Sequence, residues 1–329
     1  MMASLNGAGT KKHVSCLVFA IAMLGAFQVF AQQYPSKPIR IIVAIAAGSP
    51  TDVVVRAAGR ELLSALGQPL TVENRPGGDQ VIGSEACARA APDAYTYCVV
   101  SHTAISTNPH VFSKLPYDPD KDLKPVTALW YLIQGMIVSG SLPVNSVKEL
   151  QALALAKPGS LNLGNLGAGG PDLHRRWLNE HWNTTIVGVP YKGANLVMNA
   201  LIAGEIQMSL TGLGGLGGQL KAGKVKLLAV GSSKRLSQLP DVPTYAEAGL
   251  DGAPRTWWGL FAPAGTADLM VKKINTEFVN LFREPKFAAY LENQFLEPAV
   301  SSPEDFAAFL KKDRERAGLM VRKYNLPRR

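Results

Sequence analysis

Ile41-Ile42-Val43-Ala44-Ile45-Ala46-Ala47-Gly48-Ser49-Pro50-Thr51-Asp52 decides how this chain of 329 residues is read. The apolar run Ile39–Ile45 suits a strand covered on both faces. Gly48 supplies a tight turn and Ser49 an N-cap. Pro50 takes the first helical position, and Asp52 stands three residues after the cap, as in a capping box. A helix opened this way presents free backbone N–H groups, and the positive end of its dipole, to the space above the strand. That is an anion site. The same pattern also serves only to start a helix, so the rest of the chain has to decide between the two.

Strand and helix alternate outward from this stretch. A helix from Pro50 to about Leu66 puts Val54, Ala58, Leu62 and Ala65 on one side and stops at Gly67. Leu70–Glu73 reads as a strand, Asn74–Gly78 as a loop, and a further helix runs to about Ala90. The strand Tyr95–Val100 delivers Ser101, His102 and Thr103 to its carboxyl end, the edge where open α/β sheets bind ligands. Lys114–Pro125 holds three prolines and much charge. It is too long for an ordinary connection and marks the approach to a crossover. The strand Ile133–Val138, a helix Ser146–Ala156 capped by Ser146 with Glu149, and the strand Leu161–Gly164 follow.

The opening device then recurs. Gly167-Ala168-Gly169-Gly170-Pro171-Asp172 leads into a helix over Leu173–Trp182, about 120 residues after the first. Two lobes that each aim a helix N-terminus into one cleft would clamp an anion from both sides. Strands are expected at Ile186–Pro190, Glu205–Thr211, Lys226–Val230 and Trp257–Phe261, the last returning the chain to the first lobe. Helices are expected at about Leu196–Ala203, Ala267–Phe282 and Pro303–Tyr324.

With 47% hydrophobic and 18% charged residues the chain can bury a core. Lys11 and Lys12, the apolar run Val14–Phe30 and the small residue Ala31 read as a secretory signal peptide over residues 1–31. The apolar run is interrupted by Gln28 and falls short of the ~20 residues of a membrane span. Cleavage would leave 298 residues and, with the two lysines gone, lower the net charge from +9 to +7. Such a moderately basic, exported chain suits a small anion. Its positive residues are not interleaved with aromatics as on a nucleic-acid surface, so no nucleic acid is expected. An oxidising compartment permits a disulfide between Cys87 and Cys98. A helix and a sheet ~10 Å apart are too distant for Cα atoms that should lie at ~5.5 Å, which favours two small core residues.

Enzyme signals are thin. Gly212-Leu213-Gly214-Gly215-Leu216-Gly217 fits G-x-G-x-x-G, but too few residues follow for the helix that holds a pyrophosphate. Ser232-Ser233-Lys234-Arg235 would suit a 2′-phosphate, which keeps an NADP-linked exported enzyme as the alternative of another class. His174 and His181 share a helix face without completing a zinc set and read as two surface histidines. No G-x-S-x-G is present, and nothing supplies nucleophile, base and oxyanion donor together. The reading is of a protein that is not an enzyme, with no catalytic residue, metal or cofactor.

Several stretches carry a family resemblance. They are Tyr34-Pro35-Ser36-Lys37-Pro38-Ile39-Arg40, Val72-Glu73-Asn74-Arg75-Pro76-Gly77-Gly78, Ala90-Ala91-Pro92-Asp93-Ala94-Tyr95-Thr96, Lys114-Leu115-Pro116-Tyr117-Asp118-Pro119, Val189-Pro190-Tyr191-Lys192-Gly193-Ala194, Leu239–Thr244 and Trp258–Thr266. In this order they resemble the Bug receptors, the periplasmic solute-binding components of tripartite tricarboxylate transporters. The resemblance implies an α/β, two-lobed periplasmic-binding-protein (flytrap) fold with two crossovers, each lobe a mostly parallel sheet flanked by helices. Residues 32–130 with 254–329 would form one lobe and 131–253 the other. It also implies a periplasmic monomer that takes a small organic carboxylate (a mono- or dicarboxylate or an aromatic acid) and partners integral membrane transporter subunits. A sensory role feeding a signalling partner is the alternative among binding proteins.

In such receptors backbone amides of two loops hold the carboxylate. Here these map to Ala47, Gly48, Ser49, Thr51 and Asp52, and to Gly167, Ala168, Gly169, Gly170 and Asp172. His102, Thr103, Tyr191 and Lys192 would add side-chain contacts. Departures fall in the site. Ala46-Ala47-Gly48-Ser49 replaces two prolines and two glycines, Leu173-His174 replaces His-Leu, and Gly212-Leu213 stands where an acid is frequent. The cleft is therefore expected to be less polar than in a receptor for an amino group, favouring a monocarboxylate or aromatic acid over a charged amino acid.

Overall fold

Residues Lys37–Arg329 form one compact unit and Met1–Ser36 another. The computed structural model describes residues 34–165 and 172–328. The expected signal peptide over residues 1–31, and Gly167, Ala168, Gly169 and Gly170, therefore lie outside the described residues.

The strands, in chain order, are β1 (Ile39–Val43), β2 (Leu70–Asn74), β3 (Thr96–Ser101), β4 (Leu123–Leu132), β5 (Gln134–Ser139), β6 (Asn162–Asn165), β7 (Val187–Pro190), β8 (Met208–Gly212), β9 (Val225–Val230), β10 (Thr256–Pro263) and β11 (Leu296–Pro298). They build two sheets. The first runs β11-β4-β10-β3-β1-β2 and the second β7-β6-β8-β5-β9. The chain passes from the first sheet to the second through Ile133 and returns after β9, by way of β10. A two-lobed α/β architecture with two crossovers results.

Both sheets are mixed. β1 is parallel to β2 and β3, and β6 is parallel to β7 and β8. β10 runs antiparallel to β3 and β4, and β5 antiparallel to β8 and β9. The mostly parallel sheets expected from the resemblance are refined accordingly. β11, at the edge of the first sheet, is also antiparallel to β4. β4 leads through the single residue Ile133 into β5 of the other sheet.

The helices are α1 (Pro50–Glu61), α2 (Leu63–Leu66), α3 (Val81–Ala88), α4 (Asn108–Val111), α5 (Val147–Ala156), α6 (Leu173–Trp182), α7 (Ala194–Ala203), α8 (Gly217–Lys221), α9 (Asp268–Arg283), α10 (Pro285–Asn293) and α11 (Pro303–Lys323), with a π-helical turn at Thr103–Thr107. α1 starts as its sequence dictates: Ser49 Oγ accepts from Asp52 N, and Pro50 is the first helical residue. The helix expected to reach Leu66 breaks at Leu62 into α1 and α2, and Gly67 ends it with φ of 66°. Only five residues of helix follow the glycine-rich stretch after β8, too short for a dinucleotide fold.

β4, α10 and β11 were not legible in sequence. Pro125 argues against a strand, because it lacks an N–H for the ladder. β11 pairs only with Trp130–Leu132, so at Pro125 the strand has β10 as its partner and needs no second donor.

A disulfide joins Cys87 of α3 to Cys98 of β3, with Cα atoms 6.0 Å apart. This corrects the expectation of two unlinked core residues. The physical reason lies one turn earlier on the same helix face. A Cβ on Gly83 would stand 2.6 Å from Ala44 Cβ and 2.9 Å from Arg75 O. Without that Cβ the helix sits closer to the sheet than ordinary packing allows. Ile42, Trp257, Phe261 and Phe306 complete the apolar cluster around the pair.

Candidate functional site

The ends of strands from both sheets meet at a cavity of about 200 Å³. The first sheet contributes Ser101, His102 and Thr103 beyond β3, Leu132 at the end of β4, and Thr256 and Trp258 at the start of β10. The second contributes Gln134, Gly164, Asn165 and Ser209–Gly212, with His174 of α6 and Val197 of α7. Among the described residues that line it there is no lysine, arginine, aspartate or glutamate. Binding here rests on neutral hydrogen-bonding groups and apolar surface.

Ser101 is held by Gln80. Gln80 Oε1 accepts from Ser101 N at 2.9 Å, and Gln80 Nε2 donates to Ser101 Oγ at 2.6 Å. The turn that aims this side chain is left-handed at four successive residues, Gly77 (121°), Gly78 (56°), Asp79 (52°) and Gln80 (72°). Two of the four are not glycine, a strain that persists where surrounding contacts over-determine the turn. Asn108 Nδ2 supplies one such contact, donating to Asp79 O at 2.9 Å.

Two histidines, one beside each sheet, line the cavity. His102 meets Trp257 edge-on, with ring centroids 6.5 Å apart. Burial lowers its pKa, and the Asp313 charge opposes the shift only in part. His174 lies 2.7 Å from Pro254 O through Nε2. Burial pushes its pKa down to about 4, helped by His102 and Arg316 and opposed by the Pro254 carbonyl. His174 is therefore a buried, neutral group, not the surface residue its helix position suggested. The crossover segment around Pro254 covers that part of α6, and helix periodicity cannot reveal a cover that arrives 80 residues later. His181 does lie exposed, against Gly249 O and stacked on Trp177.

The sequence-derived candidates divide. His102 and Thr103 line the cavity. Ala47 and Gly48 are exposed and Ser49 half-buried, and none of the three is among the lining residues. Thr51 and Asp52 are buried beneath that loop. The Asp52 carboxylate accepts from Gly48 N at 2.9 Å, Asn74 Nδ2 at 2.9 Å and Arg56 Nε at 3.0 Å. Burial would raise its pKa, but these hydrogen bonds hold it below the usual carboxylate range. The Gly48 amide thus serves an internal anion.

Asp172 repeats the arrangement in the second sheet's loop. It accepts from Arg175 Nε at 2.6 Å, Arg176 Nε at 2.7 Å and Asn165 Nδ2 at 3.0 Å. Tyr191 packs its ring edge near Gly164 and donates its N–H to Asn165 O at 2.8 Å, adjoining the lining without forming it. Lys192 is exposed and outside the lining. Gln80, Asn165, Ser209, Thr211 and Trp258 were missed. Asn165 and Thr211 stand at or near strand carboxyl ends, a signal that was available. Gln80 offers only its place after two glycines.

A cavity built where two sheets joined by two crossovers converge defines a two-lobed solute-binding protein. The chain belongs to the tripartite tricarboxylate transporter family of receptors, whose family profile matches residues 54–326. It is 30% identical over 307 residues to a UPF0065 protein of Bordetella pertussis, covering 92% of this chain and 94% of that one. The structure of Rpa4515 from R. palustris with adipate aligns at TM-score 0.77 and 27% identity, over 88% of this chain and 97% of that one. MatC from Rhodopseudomonas palustris with bound malate aligns at TM-score 0.72 and 28% identity, over 88% and 100%. The family is one of transporter receptors and a further structural neighbour is the periplasmic binding protein BugD, at TM-score 0.74 and 29% identity over 90% of this chain and 100% of that one; this chain is a binding protein of that kind, not an enzyme.

Proposed function

We propose that this receptor captures a small carboxylate between its two lobes in the periplasm and delivers it to the membrane subunits of a tripartite transporter. The observation that carries the reading is the cavity itself. Its volume of about 200 Å³ is below the ~300–1,000 Å³ of sites for drug-sized molecules, which suits a small metabolite. Its polar groups come from both sheets, so a ligand bridging them favours the closed arrangement and drives hinge motion at the crossovers. Lobes formed by residues 32–130 with 254–329 and by 131–253 would move as the two bodies.

The adipate and malate bound by structural neighbours support an organic acid as ligand. Among the described residues no acid lines the cavity to pair with an ammonium group, and a carboxylate there would rest on neutral donors such as the Ser101 hydroxyl. Export would follow cleavage of residues 1–31. A thermal-shift screen of the mature chain against carboxylates and amino acids tests the proposal. An acid at a hundred times its dissociation constant should stabilise the fold by ~2.7 kcal/mol. Stabilisation by no acid at all would refute it, and stabilisation by amino acids alone would refute the exclusion of an ammonium group.

A further inference from the structure

The hydrogen bonds already made around the cavity dictate which wall donates and which accepts. The Ser101 N–H can only donate, so the Gln80 atom 2.9 Å from it is the side-chain oxygen. The Gln80 amide nitrogen therefore faces Ser101 Oγ at 2.6 Å and donates to it. Ser101 Oγ accepts a second hydrogen from Thr103 N at 3.2 Å. Both lone pairs are engaged, and the hydroxyl hydrogen remains to be donated. Ser101 is 2% exposed and lines the cavity.

The opposite wall has the reverse polarity. The Asp172 carboxylate only accepts, so Asn165 turns Nδ2 toward it, 3.0 Å away. Asn165 Oδ1 is left buried, with no partner among the described residues. Ser209 Oγ has to donate to the Gly164 carbonyl at 2.9 Å, which leaves its lone pairs. The Pro254 carbonyl draws the His174 proton to Nε2, so Nδ1 is an acceptor. Burial keeps that imidazole neutral, with a pKa of about 4, so Nδ1 stays an acceptor near neutrality.

We propose that the ligand is a hydroxycarboxylate, its carboxylate taking the Ser101 hydroxyl and its own hydroxyl donating to the acceptor wall of Asn165, Ser209 and His174. This rests on the carboxylate reading above and narrows it. A second carboxylate at the acceptor wall would face oxygen and nitrogen lone pairs. A plain hydrocarbon there would leave Asn165 Oδ1 dry and unpaired, which is how a site built for a hydroxyl rejects its deoxy analogue.

The test is isothermal titration of the mature chain with matched acids: malate and succinate, lactate and propionate, 4-hydroxybenzoate and benzoate. In the pair that fits the cavity, the hydroxy acid should bind at least about tenfold more tightly, a difference of ~1.4 kcal/mol. Ser209→Ala and Asn165→Ala should each shrink that ratio, whereas Ser101→Ala should weaken both members alike. The comparison on the unaltered protein stands even if a variant fails to fold. Equal binding within every pair that binds, or tighter binding of the plain acids, overturns the hydroxyl assignment and leaves the carboxylate reading intact. Binding of no acid overturns both.

Discussion

Replacing Cys87 and Cys98 together by alanine isolates what the disulfide contributes. The bridge closes a short loop, with a sequence separation of 11. The chain-entropy relation for such a loop gives about 2.8 kcal/mol at 25 °C. Unfolding entropy scales with length, so a chain of this size should lose roughly 5 °C in Tm if it melts as one unit. Both cysteines are wholly buried, so reductant incubated with the native protein and removed before heating should leave its melting curve unchanged. Reductant present during unfolding and refolding should bring the unaltered protein down to the alanine variant. Differential scanning calorimetry of both proteins, with and without reductant, measures these shifts. A variant that melts within about 1 °C of the parent would refute the reasoning, since the unfolded chain would then gain no freedom from losing the link.

Three further outcomes are expected. His174 is held at about 4 against an ordinary 6.5, so its proton binds the unfolded chain more readily than the folded one. The associated stability is complete above about pH 6.5 and falls away toward pH 4, by about 3 kcal/mol in all. Urea titrations near both limits should show this component in the parent and not in His174→Gln. Asp172→Asn removes the charge shared by Arg175 and Arg176, whose side chains are 15% and 32% exposed. It should cost about 3 kcal/mol in urea denaturation, the low end for breaking a buried pair. Gly48→Ala meets no atom within 4 Å, yet its backbone sits at φ of 76°. Thermal melts should register about 1 kcal/mol of destabilisation from that left-handed geometry alone.

Local devices were legible before the fold was known. Ser49, Pro50 and Asp52 predict the start of α1 because a cap is satisfied within three residues of itself. Ser146 and Glu149 start α5 for the same reason: Glu149 N donates to Ser146 Oγ at 3.1 Å. β1 showed as an apolar run because both its faces are covered. β4 escaped because Pro125 breaks the usual rule at a place where the missing N–H costs nothing. The disulfide escaped because Gly83 draws α3 toward the sheet, and a glycine in a helix carries no such message until its neighbour is known.

The candidate site divides along the same line. His102 and Thr103 were found from their place at a strand end. Asp52 and Asp172 were singled out as well, but the structure turns both carboxylates inward, onto Arg56 and onto Arg175 and Arg176. By itself the sequence determined the family, the alternation of strand and helix and most helix starts, because each depends on hydrophobic period or on backbone groups satisfied nearby. Only the tertiary structure decided which cavity groups donate and which accept. A serine, an asparagine or a histidine takes its polarity from its partner, and those partners arrive from afar: Gln80 reaches Ser101 across 21 residues, and Pro254 reaches His174 across 80.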